Sequence, residues 1–278
     1  MAKITSTNII ADTSNRPWEV AVAPFPITEQ IYYVGNLWVG AYLINTGDGL
    51  ILLDTTTAET SYLLVNSIYQ LGYRPDQIRL ILLSHAHVDH FGSAQFIKEL
   101  SHAKLYLSKE DEAFRHDSIA SAVGRIPGID FREYDFAVDE YYDDSQKIIL
   151  GNVEIQTMLT PGHTPGTTSF FIKAPDKTGK QLVAAMHGGV GVLTMSDEAF
   201  QKSGLSPELR RRFIQDCDRL KDVHVDICLP SHPAHAPLFE MRDKGWERGN
   251  PFVDQNAWVQ FLESRVKFAR DMEEQASN

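Results

Sequence analysis

The chain has few cysteines and an excess of acidic over basic residues. Cys217 and Cys228 are its only cysteines, and they form no CxxC pair, so we predict no disulfide scaffold. Both are expected to be small buried hydrophobic side chains. The net charge of −11 disfavours a large surface for nucleic acid or for an anionic membrane. We therefore predict a small-molecule substrate, and a metal site would have to use His and Asp; the pattern makes no prediction of the oligomeric state.

Long hydrophobic runs, repeats and linkers are also absent from the sequence. No apolar run approaches the ~20 residues that cross a bilayer, and the opening MAKITSTNIIADTSNRPW has no apolar stretch of the secretory type. We expect a soluble protein, cytoplasmic as given, and periplasmic or secreted if a signal peptide has been removed. Without low-complexity or Gly/Ser/Pro-rich segments, residues 1–278 are predicted to form a single domain, with residues 1–25 as an extended N-terminal segment.

The apolar segments predict sheets that are covered by helices. Strands are expected at QIYYVG, GAYLINT, GLILLDT, IRLILLS, AKLYL, VEIQTML, TTSFFIK, KQLVAAM and HVDICLP. Helices are expected at AETSYLLVNSIYQLGY, SAQFIKEL, SPELRRRFIQDCDRL and DQNAWVQFLESRVKFARDM. The polar and aromatic stretch from Phe114 to Tyr142 is predicted to be an irregular loop. Strands with helices between and after them favour a layered α/β domain.

Four side chains that bind metals follow the apolar strand IRLILLS, in the motif HAHVDH. In an extended chain, His85 and His87 lie on the same side and can bind one metal together. Asp89 and His90 follow in a turn and can face a second metal. The alternative is a solvated polar loop, but this order of residues after a buried strand favours metal binding.

Two later histidines also follow predicted strands. His163 lies between two Pro-Gly turns in PGHTPG, and His232 lies in PSHPAH. Alone, each is more often a turn residue, but together with HAHVDH they place every candidate at the carboxyl end of a strand, where ligands bind in layered α/β folds. His235 is the competing choice to His232, which lies nearer the strand. The remaining histidines with no such placement are His102, His116 and His224.

HAHVDH, PGHTPG and the late strand-end histidine, in this order, resemble the metallo-β-lactamase superfamily. The segments PFPITEQIYYVGNLWVGAYLINTGDGLILLDT and GNPFVDQNAW are similar to its third subclass of β-lactamases, and the resemblance runs from about Pro26 through the C-terminal helix. It implies an α/β fold, an αββα four-layer sandwich of two mixed β-sheets flanked by helices. It also implies a binuclear zinc site at one edge of the two facing sheets.

The resemblance implies two sets of zinc ligands. The first zinc would be bound by His85, His87 and His163. The second zinc would be bound by Asp89, His90 and His232. Imidazole and carboxylate suit Zn²⁺, with iron or manganese as the alternative. Asp54, which ends LILLD, matches an acidic residue that supports the metal ligands, and capping of the next turn is an equal alternative.

The resemblance implies hydrolysis by a water that two metals share and whose pKa they lower towards ~7. Neither Ser nor Cys is then needed as the nucleophile, and Ser84 and Ser231 are expected to be structural. Asp89 is the predicted catalytic residue, orienting the nucleophile. Two metals leave the site positively charged, which favours an anionic substrate. Trp38, in GNLWVG, is expected either to overhang the metals and contact substrate or to pack in the core.

The sequence departs from the family pattern after the strand QLVAAM, where it reads HGGVG. Most superfamily hydrolases have a metal-bridging Asp at this place, and the third subclass usually has a Ser nearby that helps to bind the carboxylate of a β-lactam. His187 is here an extra ligand, a substrate-binding residue or a bystander. Gly188 and Gly189 free the backbone to bring its imidazole close to the metals. Substrate binding is favoured because six ligands already fill two sites and an imidazole can bind a carboxylate.

The resulting ranking places a β-lactamase-like hydrolase of cyclic amides first, an activity that would confer antibiotic resistance. A hydrolase of another lactone, ester or amide is second. The missing bridging Asp argues against glyoxalase-type thioesterases, phosphodiesterases and typical lactonases. The third hypothesis is a metal-binding member of the fold that has lost catalysis.

Overall fold

The computed structural model describes residues 6–122, 135–144 and 147–276 of the chain. The first sheet has seven strands in chain order: β1 (Phe25–Pro26), β2 (Ile31–Tyr33), β3 (Tyr42–Asn45), β4 (Leu50–Leu53), β5 (Ile78–Leu82), β6 (Lys104–Leu107) and β7 (Glu140–Tyr141). Strands β1 to β4 pair antiparallel, and β4 to β7 pair parallel. The sheet is therefore mixed, as predicted.

The second sheet has five strands. They are β8 (Lys147–Leu150), β9 (Val153–Leu159), β10 (Thr168–Pro175), β11 (Gln181–Met186) and β12 (Ile227–Cys228). Their order in the sheet is β12-β11-β10-β9-β8. Only the β11–β12 pair is parallel, so the described strands form a second mixed sheet.

Nine α-helices lie in the described residues. They are α1 (Ser6–Asn15), α2 (Ser61–Gln70), α3 (Val88–Phe91), α4 (Ala94–Ser101), α5 (Lys109–His116), α6 (Asp197–Ser203), α7 (Glu208–Leu220), α8 (Leu238–Asp243) and α9 (Ala257–Ala276). A short 3₁₀ helix, Val192–Met195, precedes α6. None of the helices in the described parts of the chain combines the length and apolar character needed to span a membrane.

Strand β4 shows how the sequence produces the four layers. All of its residues are buried, because both faces of the first sheet are covered. Ile51 and Leu53 point into the core between the two sheets, and Leu50 and Leu52 point into the core under the helices. This alternation follows from the two-residue period of a strand. A continuous apolar run such as LILL therefore indicates a strand that is buried on both sides.

Three hydrophobic cores separate the four layers. The core between the sheets joins residues such as Tyr42 of β3 to Phe170 of β10. On the outer face of the first sheet, Leu64 of α2 packs into the second core. On the outer face of the second sheet, Phe213 of α7 and Trp258 of α9 pack into the third. The predicted αββα sandwich of two mixed sheets flanked by helices is confirmed.

The structure corrects two local predictions. The N-terminal segment is not extended throughout, because residues 6–15 form α1, in which the Thr13 hydroxyl donates to the Ile9 carbonyl at 2.7 Å. The expected loop from Phe114 to Tyr142 contains the end of α5 and all of β7, while residues 123–134 lie outside the described part. Helix α5 begins earlier, at Lys109, because the Ser108 hydroxyl caps it by accepting from the amide of Asp111.

Candidate metal centre

The motif HAHVDH forms a loop and a single helical turn at the carboxyl end of β5. His85 and His87 lie in the loop, and α3 begins at Val88 and carries Asp89 and His90. His87 keeps an extended backbone (φ −100°, ψ 144°) as the residue before the helix. The extended stretch puts His85 and His87 on one side, and the helical turn brings Asp89 and His90 around to a neighbouring position.

The other two ligand candidates arrive from the second sheet. His163 lies in the turn between β9 and β10, and His232 follows β12. The Nδ1 of His163 donates to the carbonyl of Gly191 at 2.7 Å and lies 2.9 Å from the Thr194 hydroxyl. The Nδ1 of His232 donates to the carbonyl of Trp38 at 2.7 Å. These hydrogen bonds fix each ring with its Nε2 directed to the cluster.

The structure brings the six predicted ligands together in the predicted two groups. In each group, one ligand atom of every residue lies within 4.8 Å of the others. The first group is His85, His87 and His163, and the second is Asp89, His90 and His232. The groups adjoin, because the ring centroids of His85 and His90 are 4.1 Å apart. His235 belongs to neither group, although its ring lies 5.2 Å from that of His232.

The protonation of the first group suits metal binding. Burial holds the pKa of His85 and of His163 well below the ordinary value, and the neighbouring imidazoles lower it further. Both rings are therefore neutral at physiological pH, which is the state that binds a metal. The Nε2 of His85 is buried and has no hydrogen-bond partner among the described residues. An orphaned buried nitrogen is costly, and a bound metal would satisfy it.

Asp89, in the second group, is the only carboxylate among the six candidate ligands. Burial disfavours the charged form of Asp89, but His90 and His232 outweigh it and lower the pKa of Asp89 overall. Burial also acts against the charged form of His90, but Asp89 and Asp54 together raise its pKa. The Oδ2 of Asp89 lies 3.5 Å from the Nε2 of His90 and 3.4 Å from the Nε2 of His232. Asp89 is therefore an ionised carboxylate beside two imidazole nitrogens.

Asp54 holds the cluster through hydrogen bonds to His90 and Ser84. Its Oδ2 accepts from the Nδ1 of His90 and from the hydroxyl of Ser84, each at 2.7 Å, and its Oδ1 accepts from the amide of Ser84 at 2.7 Å. The same hydroxyl lies 3.0 Å from the Nδ1 of His85. Of the two interpretations of Asp54, the structure shows the contact with a candidate ligand, His90. The backbone of Asp54 has a positive φ of 59°, a conformation that is strained for residues other than glycine. The Ser84 hydroxyl thus connects Asp54 to His85, which is consistent with the structural role expected of it.

Trp38 lies at the edge of the second group. The side chain is half-buried, and its ring centroid is 6.0 Å from that of His232. It also packs against the core under the first sheet, so both expected placements apply in part. The contact of Trp38 with substrate stays a prediction.

The placement of His187 contradicts its predicted contact with substrate. Its side chain is fully buried, its Nε2 faces the thiol of Cys217 at 3.8 Å, and its ring packs against Phe213 at 5.5 Å. Burial lowers the pKa of His187 to about 3, so the ring is neutral. The following glycines serve another purpose: a Cβ at Gly189 would lie 2.6 Å from the Cδ2 of His163. The backbone, and not the imidazole of His187, approaches the cluster.

The sequence predicts that both cysteines are buried, and the structure buries one of them fully. Cys217 is buried and Cys228 is partly exposed, and neither forms a disulfide. Burial raises the pKa of the Cys228 thiol to about 12 and that of Cys217 above this range. Neither is therefore a nucleophile at neutral pH.

One carboxylate beside the first group escapes detection from the sequence. Asp111, in the first turn of α5, is fully buried and accepts hydrogen bonds from the amides of Ala86 and Gly166 and from the hydroxyl of Thr164. The pattern SKED predicts only a helix start, with Ser108 as the cap. No spacing in the sequence relates Asp111 to loops that are 25 and 55 residues away.

The chain matches the family model described as the metallo-β-lactamase superfamily over residues 39–176. An uncharacterised protein of Mycobacterium leprae is 34% identical over 181 residues, which are 63% of this chain and 75% of that protein. This protein belongs to the metallo-β-lactamase superfamily. Its two groups of His and Asp residues could each hold a metal ion.

Two solved structures of metallo-β-lactamases share the fold over almost the whole chain. BJP-1, a subclass B3 enzyme of Bradyrhizobium japonicum, has a TM-score of 0.81 and 24% identity, covering 94% of this chain and 98% of its own. Native FEZ-1 from Legionella gormanii has a TM-score of 0.78 and 27% identity, covering 93% and 98%. The resemblance to the third subclass is confirmed at the level of structure.

Curated relatives also include a lactonase. The N-acyl homoserine lactonase AttM of Agrobacterium fabrum is 31% identical over 118 residues, which are 40% of this chain and 42% of the lactonase. The probable metallo-hydrolase YqgX of Bacillus subtilis is 26% identical over 143 residues, 51% of this chain and 64% of that protein. The chain therefore spans less than two thirds of the length of either relative.

Proposed function

We propose that this protein is a binuclear zinc hydrolase that opens a cyclic amide, in the manner of a β-lactamase. The observation that supports it most is the cluster itself, in which three histidines adjoin an aspartate and two histidines. This is the ligand set that the third subclass would require. The likeness to FEZ-1 along 93% of the chain adds support from the rest of the fold.

The described residues have distinct parts in this proposal. The first group would hold one zinc and the second group the other, and the bound ions would polarise a carbonyl and lower the pKa of water. Asp89 is ionised and can orient a water and accept its proton. Asp54 holds the ring of His90 by accepting from its Nδ1, which leaves the Nε2 to face the cluster.

The accessible side of the cluster indicates where a substrate would enter. The side chains of His232 and Asp89 are 17% and 11% exposed, whereas that of His90 is fully buried. A substrate would therefore approach over Asp89 and His232, beside the ring of Trp38. With two divalent ions and one ligand carboxylate, the site would attract an anion in spite of the acidic protein.

A lactone hydrolase is the second candidate, because of the 31% identity to the lactonase AttM. The position after β11 weakens the first candidate, since His187 stands where the third subclass usually has a Ser that binds the carboxylate of a β-lactam. The same position lacks the metal-bridging Asp of typical lactonases, so it does not by itself favour the second. His187 is buried against Cys217 and cannot replace that Ser. Other esters or amides belong to the same alternative.

One preparation can test both candidates. The protein would be loaded with zinc, its metal content measured, and its turnover recorded on nitrocefin and on N-acyl homoserine lactones. We expect nitrocefin hydrolysis that a chelator abolishes and zinc restores. Turnover of the lactones without turnover of nitrocefin would favour the second candidate, the lactone hydrolase. A protein with two bound zinc ions and no turnover of nitrocefin or of the lactones would be a metal-binding member of the fold without catalysis. Parallel loading with iron and with manganese would test which metal supports activity.

A further inference from the structure

The three ligands of the first group all lie on two loops. The first loop, residues 83–87, follows β5 and carries His85 and His87. The second loop, residues 160–167, connects β9 to β10 and carries His163. The loops come from different sheets, so their relative position depends on contacts between them. Any error in that position changes the distance between the His163 nitrogen and the other two.

Asp111 is hydrogen-bonded to both loops at once. Its Oδ2 accepts from the amide of Ala86 at 2.7 Å and from the hydroxyl of Thr164 at 2.8 Å. Its Oδ1 accepts from the amide of Gly166 at 2.6 Å. Ala86 stands between His85 and His87, and Thr164 directly follows His163. One carboxylate thus joins the chain segments of all three ligands.

The second loop also packs directly onto the start of α5. A Cβ at Gly166 would lie 2.0 Å from the Ser108 hydroxyl and 2.6 Å from the amide of Asp111. Only glycine allows this approach. The loop is therefore held against the helix by packing as well as by the hydrogen bonds to Asp111.

A role limited to stability does not account for the charge of this residue. Asp111 is fully buried and forms no salt bridge with the described basic residues. Burial raises its pKa to about 6, although the three hydrogen bonds act in the opposite direction. A buried carboxylate without a cation is costly to keep. Residues that reduce stability in this way are expected where function requires them.

We propose that Asp111 is a positioning residue for the first metal group, fixing the two loops so that His85, His87 and His163 converge. It acts through the backbone amides of Ala86 and Gly166 and through the Thr164 hydroxyl. Asp54 does the corresponding work for the second group through His90. The inference rests on the proposed metal binding but on no particular substrate.

The test is metal titration of the whole protein with Asp111→Asn. The amide keeps the size of the side chain, but its nitrogen cannot accept a hydrogen bond, so one of the two loops is released. We expect the affinity of the first group to fall by about 10- to 100-fold, the usual effect of changing a residue that orients ligands. Titration with Co²⁺ follows each group separately through its absorption bands. The second group should keep its affinity, and the apo protein should unfold at the same temperature or higher.

Glu110→Gln is the matched control, because it removes the same charge from the neighbouring exposed residue. It should leave both affinities unchanged. Thr164→Val provides a second variant if Asp111→Asn does not fold, since it removes only one of the three hydrogen bonds. It should weaken the first group in the same direction by a smaller factor.

Two results would overturn the inference. Unchanged affinity of the first group in Asp111→Asn would show that the loops hold their positions without the carboxylate. Equal weakening of both groups, together with a lower unfolding temperature, would reduce Asp111 to a general stabiliser of the fold. A wild-type protein that binds no metal would refute the proposed function as well, so the two failures are distinguishable.

Discussion

Gly189→Ala tests whether the glycines after β11 exist to accommodate His163. A Cβ at this position would lie 2.6 Å from the Cδ2 of His163 and 3.1 Å from its Cβ. Ordinary contact begins at 3.4 Å, so the ring must move by about 0.8 Å or the backbone must give way. The ring is not free to retreat, because its Nδ1 is bonded to the Gly191 carbonyl at 2.7 Å.

A displacement of this size exceeds the tolerance of a metal site. Metal–ligand distances in proteins stay within about 0.2 Å of their preferred values. A shift near 1 Å in a catalytic group can reduce turnover by roughly 100-fold. We therefore expect Gly189→Ala to lose metal from the first group and to lose activity by about this factor, while the second group is less affected. Metal analysis of the purified variant and steady-state turnover with added zinc measure both effects.

The control for this variant is Gly179→Ala, in the turn between β10 and β11. A Cβ there meets nothing within 4 Å, but the positive φ of 85° makes the substitution strained. It should reduce the free energy of unfolding by about 1 kcal/mol, the penalty of an L-residue in the left-handed region, without any change in metal content. If Gly189→Ala retains full metal and full turnover, the backbone has moved instead of the ring, and the reasoning about His163 is refuted.

The remaining predictions concern four side chains of the site and its surroundings. His163→Ala should remove one of three ligands and strongly reduce both metal content and activity; a variant with two metals and full activity would contradict the ligand set. Asp89→Asn should reduce turnover more than metal content, because an amide is a poor proton acceptor; equal losses would leave the orienting role unsupported. His187→Ala should lower the unfolding temperature by creating a cavity beside Phe213, with KM unchanged; a raised KM at normal stability would restore the substrate role. Trp38→Ala should raise KM several-fold, and unchanged kinetics would place Trp38 in the packing alone.

Local patterns were sufficient to predict the ligands. His85 and His87 are two residues apart after a strand, and that spacing alone places them on one side of an extended chain. His163 and His232 follow strands whose apolar runs are visible in the sequence. The resemblance to a family then divided the candidates from these three segments into two sets of ligands. The structure brings the candidates together in these two groups, and metal binding by them stays a prediction.

The short elements were harder to predict. Strands β1 and β7 have two residues each, which is too short for an alternating apolar pattern in the sequence. They are defined only by their hydrogen bonds to neighbouring strands. Helix α5 is strongly polar, KEDEAFRH, and it is stabilised by the Ser108 cap and by contacts of its buried residues Asp111, Phe114 and Arg115. Without an apolar stripe of regular spacing, periodicity gives no signal for it.

What the sequence by itself determined is the layered α/β class of the fold and the six candidate ligands, because periodicity and spacing within single segments indicate both. The αββα arrangement and the division of the candidates into two zinc sets came from the resemblance to the family. Only the tertiary structure decided the role of residues that act across segments. Asp111 reaches Ala86 and Gly166 by way of the packing of α5 against two loops. His187 faces Cys217 of α7, and it is the backbone of Gly189 that lies against His163. Such contacts are set by distances in space between residues far apart in the chain, and the chain sequence does not encode those distances locally.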